Sequence, residues 1–436
     1  MYYYSTNRKV FDESFQEAVL KGLAPDKGLF MPEKIAKLPK AFINNMSQMS
    51  LQEISYAVAN ALFGNDIYCD TLKEIVYDAI NFDIPLKHIT GDQYVLELFH
   101  GPTLAFKDVG ARFMARVLGY INSQSSNGNK CINVLVATSG DTGSAVANGF
   151  LGVKGVRVFV LYPQDKVSKI QEAQFTTLGQ NITALEINGT FDDCQALVKN
   201  AFMDKELNEK LILTSANSIN IARFLPQTFY YFYAFAQLAK REQPIDNVVI
   251  SVPSGNFGNL AAGLIAKRMG LPVKRFIAAN NSNGVFYDFL RTGQFDPRPS
   301  IPTIANAMDV GNPSNFARIL DLYGNSHEEI CKDISGCTYT DEQISETIAN
   351  TYVNDDYLLD PHGAVAYRAL CEYLQPGEVG ISLETAHPAK FKDTVEQIIG
   401  KDIEIPEKLR AFMNGEKQTI KLNSGFHAFK SFLKEI

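Results

Sequence analysis

The stretch NVVISVPSGNFGNLAAGLIAKRM, residues 247–269, contains the fold in small. NVVISVP is a β-branched apolar run of strand length, and LAAGLIAKRM is a helix-length segment. The Gly-rich GNFGN at 255–259 joins them. A buried strand entering a helix through such a loop is the repeating unit of a parallel sheet covered by helices. It also aims consecutive backbone amides and the positive end of the helix at one point, which suits an anion.

The same punctuation recurs on either side. INVLVAT, VRVFVLYP, ITALEI, VKRFIAAN and GISLE are further strand-like runs, alternating from about residue 94 with helix-length segments such as CQALVKNAF. The apolar-aromatic IARFLPQTFYYFYAFAQLAK (221–240) predicts a buried helix, and the Pro-, Asn- and Gly-rich residues 295–315 an ordered loop near a site. Upstream, FDESFQEAVLKG, LQEISYAVANALFG and TLKEIVYDAINF read as helices broken by turn-rich segments. The expected organisation is α/β: a helical domain over residues 1–90, then a region over 91–436 with a smaller sheet domain at about 95–215 and a larger one at about 216–436.

Composition narrows the function. A 436-residue chain that is 46% apolar can bury a large core, and its net charge of −7 gives no general attraction to nucleic acid or anionic membranes. The start, MYYYSTNRKVFDESF, lacks the pattern of a secretory signal, and no apolar run approaches the ~20 residues of a spanning helix, so a cytoplasmic location is expected. Six cysteines without a CxxC pair suggest buried free thiols rather than disulfides or zinc, and no His, Asp and Glu cluster has metal-ligand spacing.

Three motifs carry chemistry. In GNFGN, Gly255 and Gly258 would allow positive φ and close approach to phosphate oxygens, with Asn256 and Asn259 adding donors. A dinucleotide would need an acidic residue at the end of the next strand, which instead ends in Asn280, and a P-loop would need a Lys-Ser/Thr pair. A monophosphate fits better. SGDTG at 139–143 follows INVLVAT and makes a second cradle, whose amides and hydroxyls would suit a carboxylate. In HGPTLAFKDVGARF (100–113), Lys107 has apolar neighbours; it is either a solvated charge or an amine desolvated for covalent chemistry. His100, His362 and His387 each lie beside a Gly or Pro turn, where imidazole serves as a backbone hydrogen-bond partner.

AFKD, TSGDTG, PSGNFGN and ETAHPAKF, in this order, resemble the threonine synthases within the fold-type-II pyridoxal-phosphate enzymes, the tryptophan synthase β-like fold. GLAPDKGLFMPE, SANSINIARFLPQ, NAMDVGNPSN and DPHGAVAYRAL extend the likeness over most of the chain. The resemblance implies two open twisted sheet domains with pyridoxal 5'-phosphate in the cleft between them, the smaller closing on substrate. It implies γ-elimination of phosphate from the small molecule O-phospho-L-homoserine, then β-addition of water to give threonine, by a monomer or homodimer. Residue by residue, Lys107 resembles the Schiff-base lysine, and Gly255, Asn256, Phe257, Gly258 and Asn259 the loop holding the cofactor phosphate. Thr385 matches the hydroxyl facing the pyridine nitrogen. Ser139, Gly140, Asp141 and Thr142 take the place of the loop for the substrate carboxylate, and Asp141 replaces an Asn of the cysteine-synthase relatives. Ser215, Asn217 and Arg223 resemble the group around the substrate phosphate, with a spacing two residues longer than in the shorter family branch. The rivals are a dehydratase or β-replacement enzyme of the same fold, a catalytically silent relative that binds small phosphorylated ligands, and a nucleotide-binding oxidoreductase.

Overall fold

The β-branched runs read from the sequence all lie in strands, and each is buried along nearly its whole length. Such strands need cover on both faces. The computed structural model describes residues 1–124 and 131–436, and contacts divide the chain into two units, each with its own sheet.

The first unit comprises Met1–Met31, Lys107–Arg223 and Ile405–Ile436. Its five-stranded sheet runs in the order Ile420–Asn423, Ile182–Asn188, Val156–Pro163, Ile132–Ala137, Ile212–Ser215, all neighbours parallel. One face buries Leu135, Phe159, Leu185 and Leu197 together with Phe429 and Leu433 from the C-terminal helix Phe426–Lys434. The strands Tyr2–Ser5, Glu13–Ser14 and Phe30–Pro32 make a small sheet.

The second unit comprises Pro32–Phe106 and Phe224–Glu404. Its six strands run in the order Ile334–Thr338, Val273–Asn280, Val248–Pro253, Val379–Glu384, Gln93–Glu97, Leu86–Thr90, parallel except for the last pair. Val249, Ile277, Val365 and Leu370 belong to its core. The helix Leu51–Phe63 packs on Cys69–Ala79 and on Thr228–Lys240.

This division differs from a linear one at residues 90 and 216. The helix Phe15–Lys21 packs on the strand Ile212–Ser215, with Val19 O accepting from Thr214 Oγ1 and Asn220 Nδ2, both at 2.9 Å. The next helices pack into the second unit, and the C-terminal segment returns to the first. The expected helix over 221–240 is also broken: Ile221–Phe224 and Thr228–Lys240 flank a 3-10 turn at Leu225–Gln227, where Pro226 has no amide hydrogen to continue the ladder. All six cysteines are free, but only Cys194 and Cys337 are buried, whereas Cys69, Cys331 and Cys371 are exposed. Among the described residues no helix is long and apolar enough to cross a membrane.

Candidate active site

Every motif loop follows the C-terminal end of a parallel strand, where open α/β sheets carry their ligands. In the first unit, SGDTG follows the strand Ile132–Ala137 and opens the helix Asp141–Phe150. Gly140 has φ 143°, and a Cβ there would lie 2.6 Å from the Gln171 side chain, so only glycine fits. Thr138 Oγ1 accepts the amides of Gly140 and Gly143 at 2.9 and 2.8 Å. The loop's shape is therefore held from beneath, and these two amides are already engaged.

Lys107 opens the helix Lys107–Gln124, and its Nζ lies 4.0 Å from Asp141 Oδ2. Asp141 Oδ1 accepts from Gln171 Nε2 at 2.8 Å. An amine, a buried carboxylate and an amide thus lie in one set, and the lysine, whose side chain is 17% exposed, is not a solvated surface group. Ser215 ends the strand Ile212–Ser215; its Oγ accepts the Asn217 N–H at 3.2 Å, while Asn217 Nδ2 donates to Ala137 O at 3.1 Å. Arg223 is buried, and its Nη1 donates to Lys107 O at 3.5 Å. Burial lowers the Arg223 pKa to about 10, opposed by the charge of Asp108. The first unit therefore gathers Lys107, Ser139–Thr142, Ser215, Asn217 and Arg223 around the ends of adjacent strands.

In the second unit GNFGN follows Val248–Pro253 and opens the helix Gly258–Arg268. Positive φ falls not on Gly255 or Gly258 but on Phe257, at 60°, a region sparsely used by residues with a side chain. Phe257 is held there by burial and by ring packing on Phe286 at 4.6 Å. Gly255 is needed for another reason: a Cβ would lie 2.9 Å from both Ala307 O and Met308 Cα. The Asn256 Oδ1 accepts from Ser314 N at 3.3 Å and its carbonyl from Asn315 Nδ2 at 2.9 Å, which ties the loop to the Asn-rich segment beside it.

Asn259 tests the fit of a phosphate. Its buried Oδ1 accepts from the hydroxyls of Tyr230 and Tyr231 at 2.6 and 2.7 Å, which fixes the amide so that Nδ2 points the other way. That Nδ2 is buried with no hydrogen-bond partner among the described residues. A donor left so, at the N-terminus of an 11-residue helix, is what a phosphate oxygen would satisfy. Thr385 follows the strand Val379–Glu384 and is buried; its carbonyl accepts the Phe106 N–H at 2.9 Å, and Phe106 precedes Lys107 in the chain.

The histidines are bound into the fold. His100 Nε2 lies 2.8 Å from Glu97 Oε2, and His387 Nδ1 accepts the Ala389 N–H at 3.1 Å. Burial, with His100 second, lowers the His387 pKa to about 4. Thr138, Gln171, Tyr230 and Tyr231 were not singled out in the sequence. Thr138 opens the TSGDTG motif, whereas the others act on a motif residue from another element, and of these only the aromatic run around 230 gave a signal, which read as core.

Residues 85–383 match the family described as Pyridoxal-phosphate dependent enzyme; residues 2–80 match Threonine synthase N terminus and residues 363–433 Threonine synthase, C-terminal. A threonine synthase of Haemophilus influenzae is 47% identical over 396 residues, 91% of each chain. The crystal structure of threonine synthase from Escherichia coli superposes with a TM-score of 0.92 at 43% identity, covering 100% of both chains. A pyridoxal-phosphate-bound threonine synthase from Brucella melitensis does so with a TM-score of 0.92 at 33% identity, over 100% of this chain and 99% of the other.

Proposed function

Because this chain belongs to the threonine synthases among the pyridoxal-phosphate-dependent enzymes, we propose that it converts O-phospho-L-homoserine and water into L-threonine and phosphate with Lys107 as its catalytic residue. The observation that carries the assignment of roles is the Lys107 Nζ to Asp141 Oδ2 approach of 4.0 Å, which joins the candidate amine to the candidate substrate loop.

Pyridoxal phosphate, when bound, supplies the electron sink that lets protons leave the carbons next to the substrate amine. The chain's residues do the rest. The helix N-terminus at Gly258 and the Asn259 Nδ2 would hold the cofactor phosphate, with Gly255, Asn256 and Phe257 shaping the loop. The Thr385 hydroxyl would serve the ring nitrogen as a neutral hydrogen-bond partner, where a carboxylate would hold a proton on it. Lys107 Nζ would be the covalent anchor of the cofactor and the group that moves protons at the substrate carbons. Asp141, steadied by Gln171, orients that ammonium. The loop Ser139, Gly140, Asp141 and Thr142 receives the substrate carboxylate through the hydroxyls of Ser139 and Thr142 and the amides that Thr138 does not engage, with Gly140 shaping the turn, since the Asp141 carboxyl itself would repel it. Ser215, Asn217 and Arg223 hold the phosphate that leaves, where a guanidinium and neutral donors match the developing charge. The same reading has the enzyme act in the cytoplasm, as a monomer or homodimer, on a small molecule and without nucleic acid.

Purified enzyme given O-phosphohomoserine should release threonine and phosphate one for one, and Lys107→Ala should abolish both. Cofactor absorbance with no phosphate release would transfer the assignment to a dehydratase or β-replacement enzyme.

A further inference from the structure

His362 is spent on no step of the reaction, yet both of its ring nitrogens are engaged in the interior of the second unit. Its Nε2 accepts the Ala307 N–H at 3.1 Å, and Nδ1 lies 2.6 Å from Asp360 Oδ1. A backbone N–H can only donate, so Nε2 carries the lone pair and Nδ1 carries the proton, which it gives to Asp360. Asp360 N–H in turn donates to Glu384 Oε1 at 2.6 Å, and Glu384 directly precedes Thr385. All three side chains are buried.

The ring is not needed to start its own helix. Asp360 caps Pro361–Tyr373 through the backbone amides of His362 and Gly363, at 2.9 and 3.1 Å, which any residue at 362 would present. What the ring adds are its bonds to Asp360 Oδ1 and to Ala307, and of these only the second reaches the turn beside the phosphate loop. The turn Asn306–Met308 is also what closes on Gly255, whose missing Cβ would otherwise meet Ala307 O and Met308 Cα. A continuous path of bonds and close contact thus runs from Thr385 through Glu384, Asp360, His362 and Ala307 to Gly255.

We propose that His362 is a positioning residue for the cofactor: it holds the turn Asn306–Met308 against the phosphate loop and sets the spacing of that loop from Thr385. This rests on the reading of Gly255–Asn259 as the loop for the cofactor phosphate. Phenylalanine at 362 keeps the ring, which packs on Phe391 at 4.9 Å, but loses both hydrogen bonds. Glutamine restores an acceptor at the ε position.

The full-length protein, stripped of cofactor, is titrated with pyridoxal phosphate and, separately, with pyridoxal, and its melting is recorded without either. His362→Phe should weaken pyridoxal phosphate binding about tenfold, the worth of one such bond, and leave pyridoxal binding unchanged. His362→Gln should recover most of the loss. The inference is overturned if His362→Phe binds pyridoxal phosphate as the parent does, or if it loses both ligands alike together with its melting temperature. Gly255→Ala, which presses on the same turn from the other side, separates the two levels. If the parent shows no preference for the phosphorylated ligand, the loop reading fails. If Gly255→Ala loses that preference and His362→Phe keeps it, only the role of His362 fails.

Discussion

Asn259 is oriented by its neighbours, because Tyr230 and Tyr231 are buried phenols whose pKa values lie well above the usual range, raised mainly by burial. They remain donors at any pH the protein meets, so the amide cannot turn its oxygen toward an anion. The double variant Tyr230→Phe, Tyr231→Phe removes that constraint and should weaken pyridoxal phosphate about tenfold or more in a titration of cofactor-free protein, with each single change milder. His387 supplies a pH dependence. Its pKa of about 4 in the fold, against about 6.5 unfolded, means the unfolded chain binds the extra proton first. Its contribution is zero above pH 6.5, and stability falls as pH drops from 6.5 to 4 and then levels off, by on the order of 3 kcal/mol in all. Urea unfolding at pH 6.5 and 4.5 should show a smaller loss in His387→Gln than in the parent; equal losses would remove His387 as a cause. At this scale the sequence was legible where chemistry and turn residues coincide, as at Lys107, SGDTG and GNFGN. It was not legible for Gln171, Tyr230, Tyr231 or Ala307, because their meaning lies in a partner far away in the chain, and it put positive φ on glycines where Phe257 takes it.

Among elements, the contact between the helices Lys107–Gln124 and Ile221–Phe224 fixes Lys107 most directly. At Gly110 a Cβ would lie 2.2 Å from the backbone oxygen of Arg223. Alanine in a helix ordinarily gains up to ~1 kcal/mol over glycine. Here the clash is with backbone that cannot rotate away, and overpacking of this kind costs about 1–3 kcal/mol. Gly110→Ala should therefore lower stability in urea and lower turnover together, since Arg223 also bonds Lys107 O; a gain in stability would show that the helices separate freely. The strands divide in the same way into legible and illegible. Central runs such as Val156–Pro163 are apolar on both faces and announce themselves. Gln93–Glu97, Ile212–Ser215, Ile334–Thr338 and Ile420–Asn423 went unread because they are short or polar, and Ile420–Asn423 is an exposed edge held by its register on Ile182–Asn188.

On the scale of the whole molecule, the order of the chain and the order of the contacts disagree, and that disagreement can be measured. Phe429 and Leu433 lie near the C-terminus, yet both are fully buried against Leu135, Phe159 and Leu185 of the first unit. Lys430 adds ion pairs to Asp204 and Glu206 at 2.6 and 3.1 Å, of small worth where the charges still reach solvent. The apolar contact therefore dominates, and Phe429→Ala should cost about 3–5 kcal/mol by emptying a packed site. The loss should be local to a unit. Hydrogen exchange should quicken in Val156–Pro163 and Ile182–Asn188, far upstream, and stay unchanged in Val248–Pro253 and Val273–Asn280, which are nearer in sequence. A chain divided linearly at residue 216 requires the reverse, with the loss spreading through the strands between 248 and 384. Exchange in the one sheet without the other decides whether the C-terminal segment stabilises the unit that carries Lys107 or the unit that carries the phosphate loop.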